Sequence, residues 1–266
     1  MSKVTVATLK KMKQAGEKFA CLTAYDATFA QVLETAGVEV LLVGDSLGMV
    51  IQGQQSTLPV TIDNIIYHSQ CVSRASTNAL IMSDMPFMSY PDEAQAIDNA
   101  GRLLKEGGAH IVKLEGGAAF VDIIKQLTAF GIPVCGHLGL LPQSVNKMGG
   151  YKVQGKDEQS AKTILEDAKM LEAAGCDIML LECVPMDLAK QVTESLAIPV
   201  IGIGAGPGCD GQVLVLHDML GLTPGKHPRF VQDFFKNTGS INAAVENYVE
   251  AVKSGNFPSQ QHSFNS

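Results

Sequence analysis

Six polar residues sit where short apolar runs of the chain come to an end. Asp45 closes the run 38–46, Asp84 stands near the end of 79–86, and Lys113 and Glu115 end 110–117. His137 lies in 132–139 and Glu182 in 176–185. These runs have strand length, and alternate residues of a strand share a face. By that alternation Val43 shares a face with Asp45, Met82 with Asp84, Lys113 with Glu115 and Leu180 with Glu182. If these faces point inward, four carboxylates, a lysine and a histidine converge at one end of a sheet.

A single Asp at a strand end reads as a turn or cap residue, and Asp26 and Asp92 are expected to be helix N-caps of that ordinary kind. A cluster is different, because unpaired buried carboxylates cost several kcal/mol. A hard cation is the simple compensation, and Asp45, Asp84 and Glu115 with intervening waters suit octahedral Mg²⁺. Zinc would call for Cys or His spacing or an HExxH segment, which the chain lacks. His137 alone reads as an orienting group rather than a ligand. Lys113 could form a Schiff base or act as a cation toward an anionic substrate; Glu115, two residues on and on the same face, would keep it charged and favours the second. Glu182 ends the apolar strand DIMLLE, where low polarity would raise its pKa and suit a general base, with a supporting role behind a metal as the alternative. A divalent cation, a lysine and a carboxylate base together suit a 2-oxo acid: its carboxylate and keto oxygens chelate the metal, and the metal stabilises the enolate left by proton removal.

The elements needed to bring such residues together are legible as a repeat. The apolar runs 19–25, 38–46, 79–86, 110–117, 132–139, 176–185, 198–206 and 212–218 alternate with helical patterns at 27–37, 92–108, 157–175 and 186–197. Continuously apolar strands separated by helices indicate a parallel sheet covered on both faces. Eight of them favour a closed (β/α)₈ TIM barrel, a single domain over 1–266, whose active site belongs at the C-terminal mouth. The spacing between the seventh and eighth runs is too short for a helix, which leaves the order there open. Long connections at 47–78 and 140–156 read as loops suited to covering a site. The N-terminal stretch reads as a short amphipathic helix, 241–255 as a C-terminal helix outside the barrel, and the tail NFPSQQHSFNS as frayed.

Composition narrows the class. The chain has 266 residues, 46% hydrophobic and 18% charged, with a net charge of −7. That is a packed globular protein, and an acidic one without a Lys/Arg cluster is a poor partner for nucleic acid. No apolar run reaches the roughly 18 residues of a membrane span, and no signal-peptide core is present at the start. Six cysteines without CxxC spacing read as buried thiols in a reducing cytoplasm. The glycine run IGIGAGPG departs from GxGxxG at Pro207 and reads as a turn or a close backbone approach.

The segments LTAYD (22–26), LLVGDSLGM (41–49), QGQQSTLPVT (52–61), SDMPFMSY (83–90), VKLEGG (112–117), VCGHLGLLPQSVNKMGGYKVQG (134–155), LLECVP (180–185) and IPVIGIGAGPGCDGQVLVLHDMLG (198–221) together resemble the ketopantoate hydroxymethyltransferase family over nearly the whole chain. The resemblance implies a barrel of the phosphoenolpyruvate/pyruvate type. It also implies hydroxymethyl transfer from 5,10-methylenetetrahydrofolate to 3-methyl-2-oxobutanoate, giving 2-dehydropantoate on the route to pantothenate and coenzyme A. By the same resemblance Asp45, Asp84 and Glu115 hold one Mg²⁺ per subunit, directly or through water; Asp45, Ser46, Asp84 and Lys113 hold the oxo acid; and Glu182 is the proton acceptor. His137 is left a supporting role, and the tail after Gly255 none. Members are cytoplasmic homo-oligomers, commonly decamers. Two other readings are an isocitrate-lyase-like Mg²⁺-dependent lyase or mutase, which should carry a KKCGH-type cysteine loop where this chain has KMGGYKVQG, and a catalytically silent barrel, which should have lost a carboxylate.

Overall fold

A computed structural model describes residues 3–225 and 227–265. Eight parallel strands close into a barrel in sequence order: β1 Phe19–Thr23, β2 Val40–Val43, β3 Leu80–Asp84, β4 Ile111–Glu115, β5 Val134–Gly139, β6 Ile178–Glu182, β7 Val200–Ile203 and β8 Gly211–Leu214. The helices are α1 Val6–Ala15, α2 Ala27–Thr35, α3 Leu47–Val50, α4 Ile62–Ala75, α5 Glu93–Lys105 and α6 Val121–Ala129. They continue as α7 Val145–Met148, α8 Glu158–Ala173, α9 Met186–Ser195, α10 Leu216–Met219 and α11 Ile241–Lys253. β8 pairs with both β7 and β1, which settles the order at the end of the chain, and the 204–210 link between β7 and β8 contains no helix.

The sequence dictates these elements locally. The strands are buried on both faces, so β1, β2 and β7 are almost wholly apolar, and in β3, β4 and β6 the charged residues stand at or near the C-terminal end. Asp26 and Asp92 accept the N–H groups of Phe29 and Gln95 and so cap α2 and α5 as expected. Inside the barrel one apolar cluster includes Phe19, Cys21, Val40, Leu42, Met82 and Ile111, and a second, larger cluster lies between strands and helices. α1 closes the bottom of the barrel: Leu9 is fully buried in the interior cluster, and Lys10 and Lys13 pair with Asp177 and Asp210. α11 packs outside, on β1 and α2, where the buried Tyr248 hydroxyl meets the carbonyls of Cys21 and Gln212, each at 2.9 Å.

Three expectations need correction. The stretch 47–78 is not one long loop but contains α4, a 14-residue helix capped by Thr61. The alternation argument fails for β2: Leu42 faces the interior and Val43 the helices, so Asp45 reaches the mouth through the turn after the strand, not by strand parity. The tail is not frayed through its described length. Phe257 packs edge-on to Phe234 and at a tilt to Tyr248, His262 packs on Phe257, Ser263 is buried, and the Phe264 carbonyl accepts the Met186 N–H at 2.9 Å. Two aromatic rings in eleven residues give that segment enough apolar area to dock.

Candidate active site

The C-terminal mouth opens into a cavity of about 400 Å³. Asp45, Ser46, Asp84, Lys113, Glu115 and Glu182 all line it, as does His137. Strand register makes neighbours of them. Asp84 stands opposite Lys113, Glu115 opposite His137, and Gly139 opposite Glu182. At Gly139 the backbone has φ +95°, and any Cβ would lie 2.2 Å from the Glu182 carbonyl oxygen, so only glycine lets β5 approach β6 this closely. After Glu182 the chain turns through Cys183 at φ 47°, a conformation costly for a residue with a side chain. The bend is held by hydrogen bonds from Cys183 N–H to Ile203 O and from Gln154 N–H to Cys183 O, both 2.9 Å.

The charges form one buried system. Lys113 Nζ lies 2.9 Å from Asp84 Oδ1, and the Asp45 N–H donates to Asp84 Oδ2 at 2.9 Å. Burial pulls the Lys113 ammonium toward neutrality, but Asp84, Glu115 and Asp45 outweigh it and hold its pKa above the usual lysine range. The lysine is therefore a fixed cation, not a free amine. Burial, reinforced by Asp84 and Glu115, pushes the Asp45 carboxyl well above the ordinary range. Burial likewise raises Glu115 to about 7 against the opposing pull of Lys113 and the Gln143 N–H. Burial and the Lys113 charge keep the His137 imidazole below its usual value. His137 Nδ1 lies 3.4 Å from Lys113 Nζ and Nε2 3.4 Å from Glu182 Oε2. An ammonium cannot accept a hydrogen bond, so with the ring neutral Nδ1 is the acceptor and Nε2 carries the proton, facing Glu182 without a well-aligned hydrogen bond, while Nδ1 also lies 3.6 Å from Glu115 Oε1.

When all three carboxyls are ionised, they and the one ammonium carry two net negative charges, the number a divalent cation balances; without that cation, burial and mutual repulsion hold Asp45 and Glu115 toward the protonated form. Among the described residues no group of three or more His, Cys, Asp or Glu side chains is arranged to hold a metal ion as it stands. Mg²⁺ does not need such a group, since it keeps several waters and takes one or two carboxylates directly. Glu115 Oε1 is buried without a hydrogen-bond partner, and no well-aligned hydrogen bond reaches Asp84 Oδ1. These under-satisfied oxygens and the raised carboxyls are what a hard cation would relieve, so the residues fit one.

Sequence reasoning missed other members of the mouth. Gln143 bridges Asp45 and Glu115 from behind: its amide donates to Asp45 Oδ2 at 2.8 Å and its backbone N–H to Glu115 Oε2 at 3.0 Å. Tyr25 bonds Ser46 Oγ at 2.8 Å, and Thr57 Oγ1 is buried at the cavity wall without a partner. Phe230 and Phe264 also line the cavity, so the tail contributes to a site in which no role is expected for it from the sequence. Neither Gln143 nor Phe264 ends an apolar run, and that was the only signal that singled residues out.

The family model described as ketopantoate hydroxymethyltransferase matches residues 3–260. A 3-methyl-2-oxobutanoate hydroxymethyltransferase of Nitrosococcus oceani is 60% identical over 258 residues, 97% of this chain and 98% of that one. One from Hahella chejuensis is 58% identical over 262 residues, 98% and 99% of the two chains. Among solved structures, phosphoenolpyruvate phosphomutase from Streptomyces platensis subsp. rosaceus superposes with a TM-score of 0.62 at 14% identity, covering 82% of this chain and 83% of that one. A phosphonopyruvate hydrolase in complex with oxalate and Mg²⁺ gives 0.61 at 12% identity, covering 81% of each. The lyase 2,3-dimethylmalate lyase gives 0.57 at 18%, covering 79% and 81%. These structural likenesses are of fold alone.

Proposed function

The chain belongs to the ketopantoate hydroxymethyltransferase family, and from that premise we infer that it transfers a hydroxymethyl group from 5,10-methylenetetrahydrofolate to 3-methyl-2-oxobutanoate, giving 2-dehydropantoate. The lyase and mutase reading shares the barrel and nothing finer.

The observation that carries the mechanism is the set of buried Asp84, Lys113, Glu115 and His137 with the half-buried Glu182, on successive inward strand ends around one cavity. Asp45, Asp84 and Glu115 hold one Mg²⁺ per subunit, directly or through water. When bound, the ion supplies Lewis-acid stabilisation of the negative charge that develops on the keto oxygen. Lys113, fixed by Asp84, meets the substrate carboxylate, and Ser46, steadied by Tyr25, donates to its oxygens. The apolar walls Leu42, Leu180, Ile203 and Val213 receive the two methyl groups. Glu182 takes the proton from C3, and the C–H electron pair moves toward C2 as the keto oxygen gains charge. His137, with its Nε2 proton toward Glu182, orients the carboxylate. C3 then forms a bond to the one-carbon unit of the folate as the keto C=O is restored; the two C–N bonds of that unit break, water supplies the hydroxyl group, and the proton held by Glu182 and the remaining water proton go to the two nitrogens of the departing tetrahydrofolate.

Family membership also supports a cytoplasmic homo-oligomer, commonly a decamer, built from one barrel domain per chain over 1–266. No helix among the described residues is long and apolar enough to cross a membrane. Incubation of 3-methyl-2-oxobutanoate in D₂O with the protein and Mg²⁺ should exchange the C3 proton, seen by NMR. Adding methylenetetrahydrofolate should yield 2-dehydropantoate. Exchange that persists in EDTA, or absence of that product, would overturn the mechanism.

A further inference from the structure

Gln143 does not line the reaction cavity, yet it touches two of the three carboxylates assigned to the metal. It sits in the short 3₁₀ turn Pro142–Ser144 after β5 and is 6% exposed. Its side-chain nitrogen donates to Asp45 Oδ2 at 2.8 Å and to Met85 O at 3.0 Å. Its side-chain oxygen accepts the Tyr90 hydroxyl at 2.7 Å. Two acceptors on one side and one donor on the other leave a single orientation for the amide. Tyr90 is tied in turn, because its oxygen accepts the Glu115 N–H at 3.2 Å and its ring packs edge-on to Phe120. The backbone N–H of Gln143 completes the circuit by donating to Glu115 Oε2 at 3.0 Å.

Each hydrogen bond occupies one oxygen of a carboxylate and leaves the other, Oδ1 of Asp45 and Oε1 of Glu115. A neutral amide does this without cancelling charge, whereas a lysine or arginine here would remove part of the negative charge that attracts the cation. We propose that Gln143, locked by Tyr90, is a positioning residue that aims Asp45 and Glu115 at the divalent cation. This assignment rests on the metal reading above. It acts through the carboxylates, so its loss should weaken metal binding far more than it slows the loaded enzyme.

The test is calorimetric titration of the purified, EDTA-stripped protein with Mg²⁺ alone, alongside kcat and the Mg²⁺ concentration giving half-maximal rate. Groups that support metal ligands from behind are worth roughly 10–100-fold in affinity. Gln143→Met should therefore lose Mg²⁺ affinity by about that factor, while kcat at saturating Mg²⁺ falls much less. Tyr90→Phe, which frees the amide, should lose a smaller factor of the same kind, and the double variant should be no weaker than Gln143→Met, because the two act as one unit. Parental Mg²⁺ affinity in Gln143→Met, or additive losses in the double variant, would overturn the assignment. If Gln143→Met does not fold, parental affinity in Tyr90→Phe overturns it equally. If the parent itself binds no Mg²⁺, the metal reading fails first and this assignment with it.

Discussion

The two ends of the barrel are rich in carboxylates but treat them in opposite ways. At the bottom the acids that meet the strand entries are paired with cations or backbone N–H groups. Asp210 accepts Lys13 Nζ and the Val200 N–H, Glu172 the N–H groups of Ala197 and Ile198, and Glu39 the Ala20 N–H together with Lys253. At the mouth, Asp45, Asp84 and Glu115 crowd one another, share one lysine, and leave Glu115 Oε1 without a partner. Bottom carboxylates tie down backbone N–H groups and stabilise the closure of the sheet. Mouth carboxylates are held in an arrangement that costs stability until something arrives to take the charge. Position along a strand therefore separates acids that maintain the fold from acids that do chemistry, as the general rule for this barrel anticipates.

The sharpest test of that division is Glu182→Gln. Removal of a general base costs roughly 10²–10⁴-fold, so C3 exchange should fall by that order. Folding stability should change by no more than about 0.5 kcal/mol, since the amide oxygen can still face the His137 Nε2 proton. A large loss of stability with modest loss of exchange would place Glu182 with the bottom acids. Next in size is Asp45→Asn. It removes a charge that Asp84 and Glu115 oppose, so the metal-free protein should melt at a higher temperature while Mg²⁺ affinity drops at least 10-fold, about 1.4 kcal/mol. A lower melting temperature in EDTA would show that the mouth is not under electrostatic stress. The converse at the bottom is Asp210→Ala. It strands Lys13 and the Val200 N–H and should cost about 1–3 kcal/mol in urea unfolding, with kcat for hydroxymethyl transfer unchanged. A changed kcat would mean that the two ends are coupled through the barrel.

The same contrast explains what could be read from the chain before its coordinates. All eight strands are legible because burial on both faces makes several of them continuous apolar runs, and a polar residue closing such a run stands out. Asp84, Lys113, Glu115 and Glu182 follow the alternation rule because their strands extend to the mouth. Asp45 does not, since β2 ends at Val43 and a turn carries the carboxylate inward. The rule found it for a wrong reason. α4 is hidden in the sequence because the polar QGQQST segment before it dominates the stretch 47–78, although Thr61 caps it as an ordinary helix. Gln143, Tyr90 and Phe264 were invisible for a different reason. Their roles come from contacts across 25 or more positions of sequence, and no local pattern encodes those.

The smallest effect, and the one that isolates pH, belongs to Glu34 at the end of α2. Burial would raise its pKa, but the Ser76 hydroxyl and the N–H groups of Ala79, Asn78 and Thr77, at 2.9–3.0 Å, outweigh burial and bring it down to about 2. A carboxyl whose pKa is lower in the folded than in the unfolded state contributes stability in full above the unfolded value. That contribution is lost as pH falls through the folded one. The window here runs from about 4.5 down to about 2. The group is substantially solvated, so its worth is on the order of 1 kcal/mol once screening is allowed for, well below the bare shift. Glu34→Gln should therefore lower stability by about that amount at pH 7, as measured by urea unfolding. The gap between the variant and its parent should close as pH is lowered across that window, with catalysis untouched throughout. A gap that stays constant to pH 2 would mean that Glu34 acts by shape rather than charge, and the bottom of the barrel would then not be an electrostatic closure at this strand.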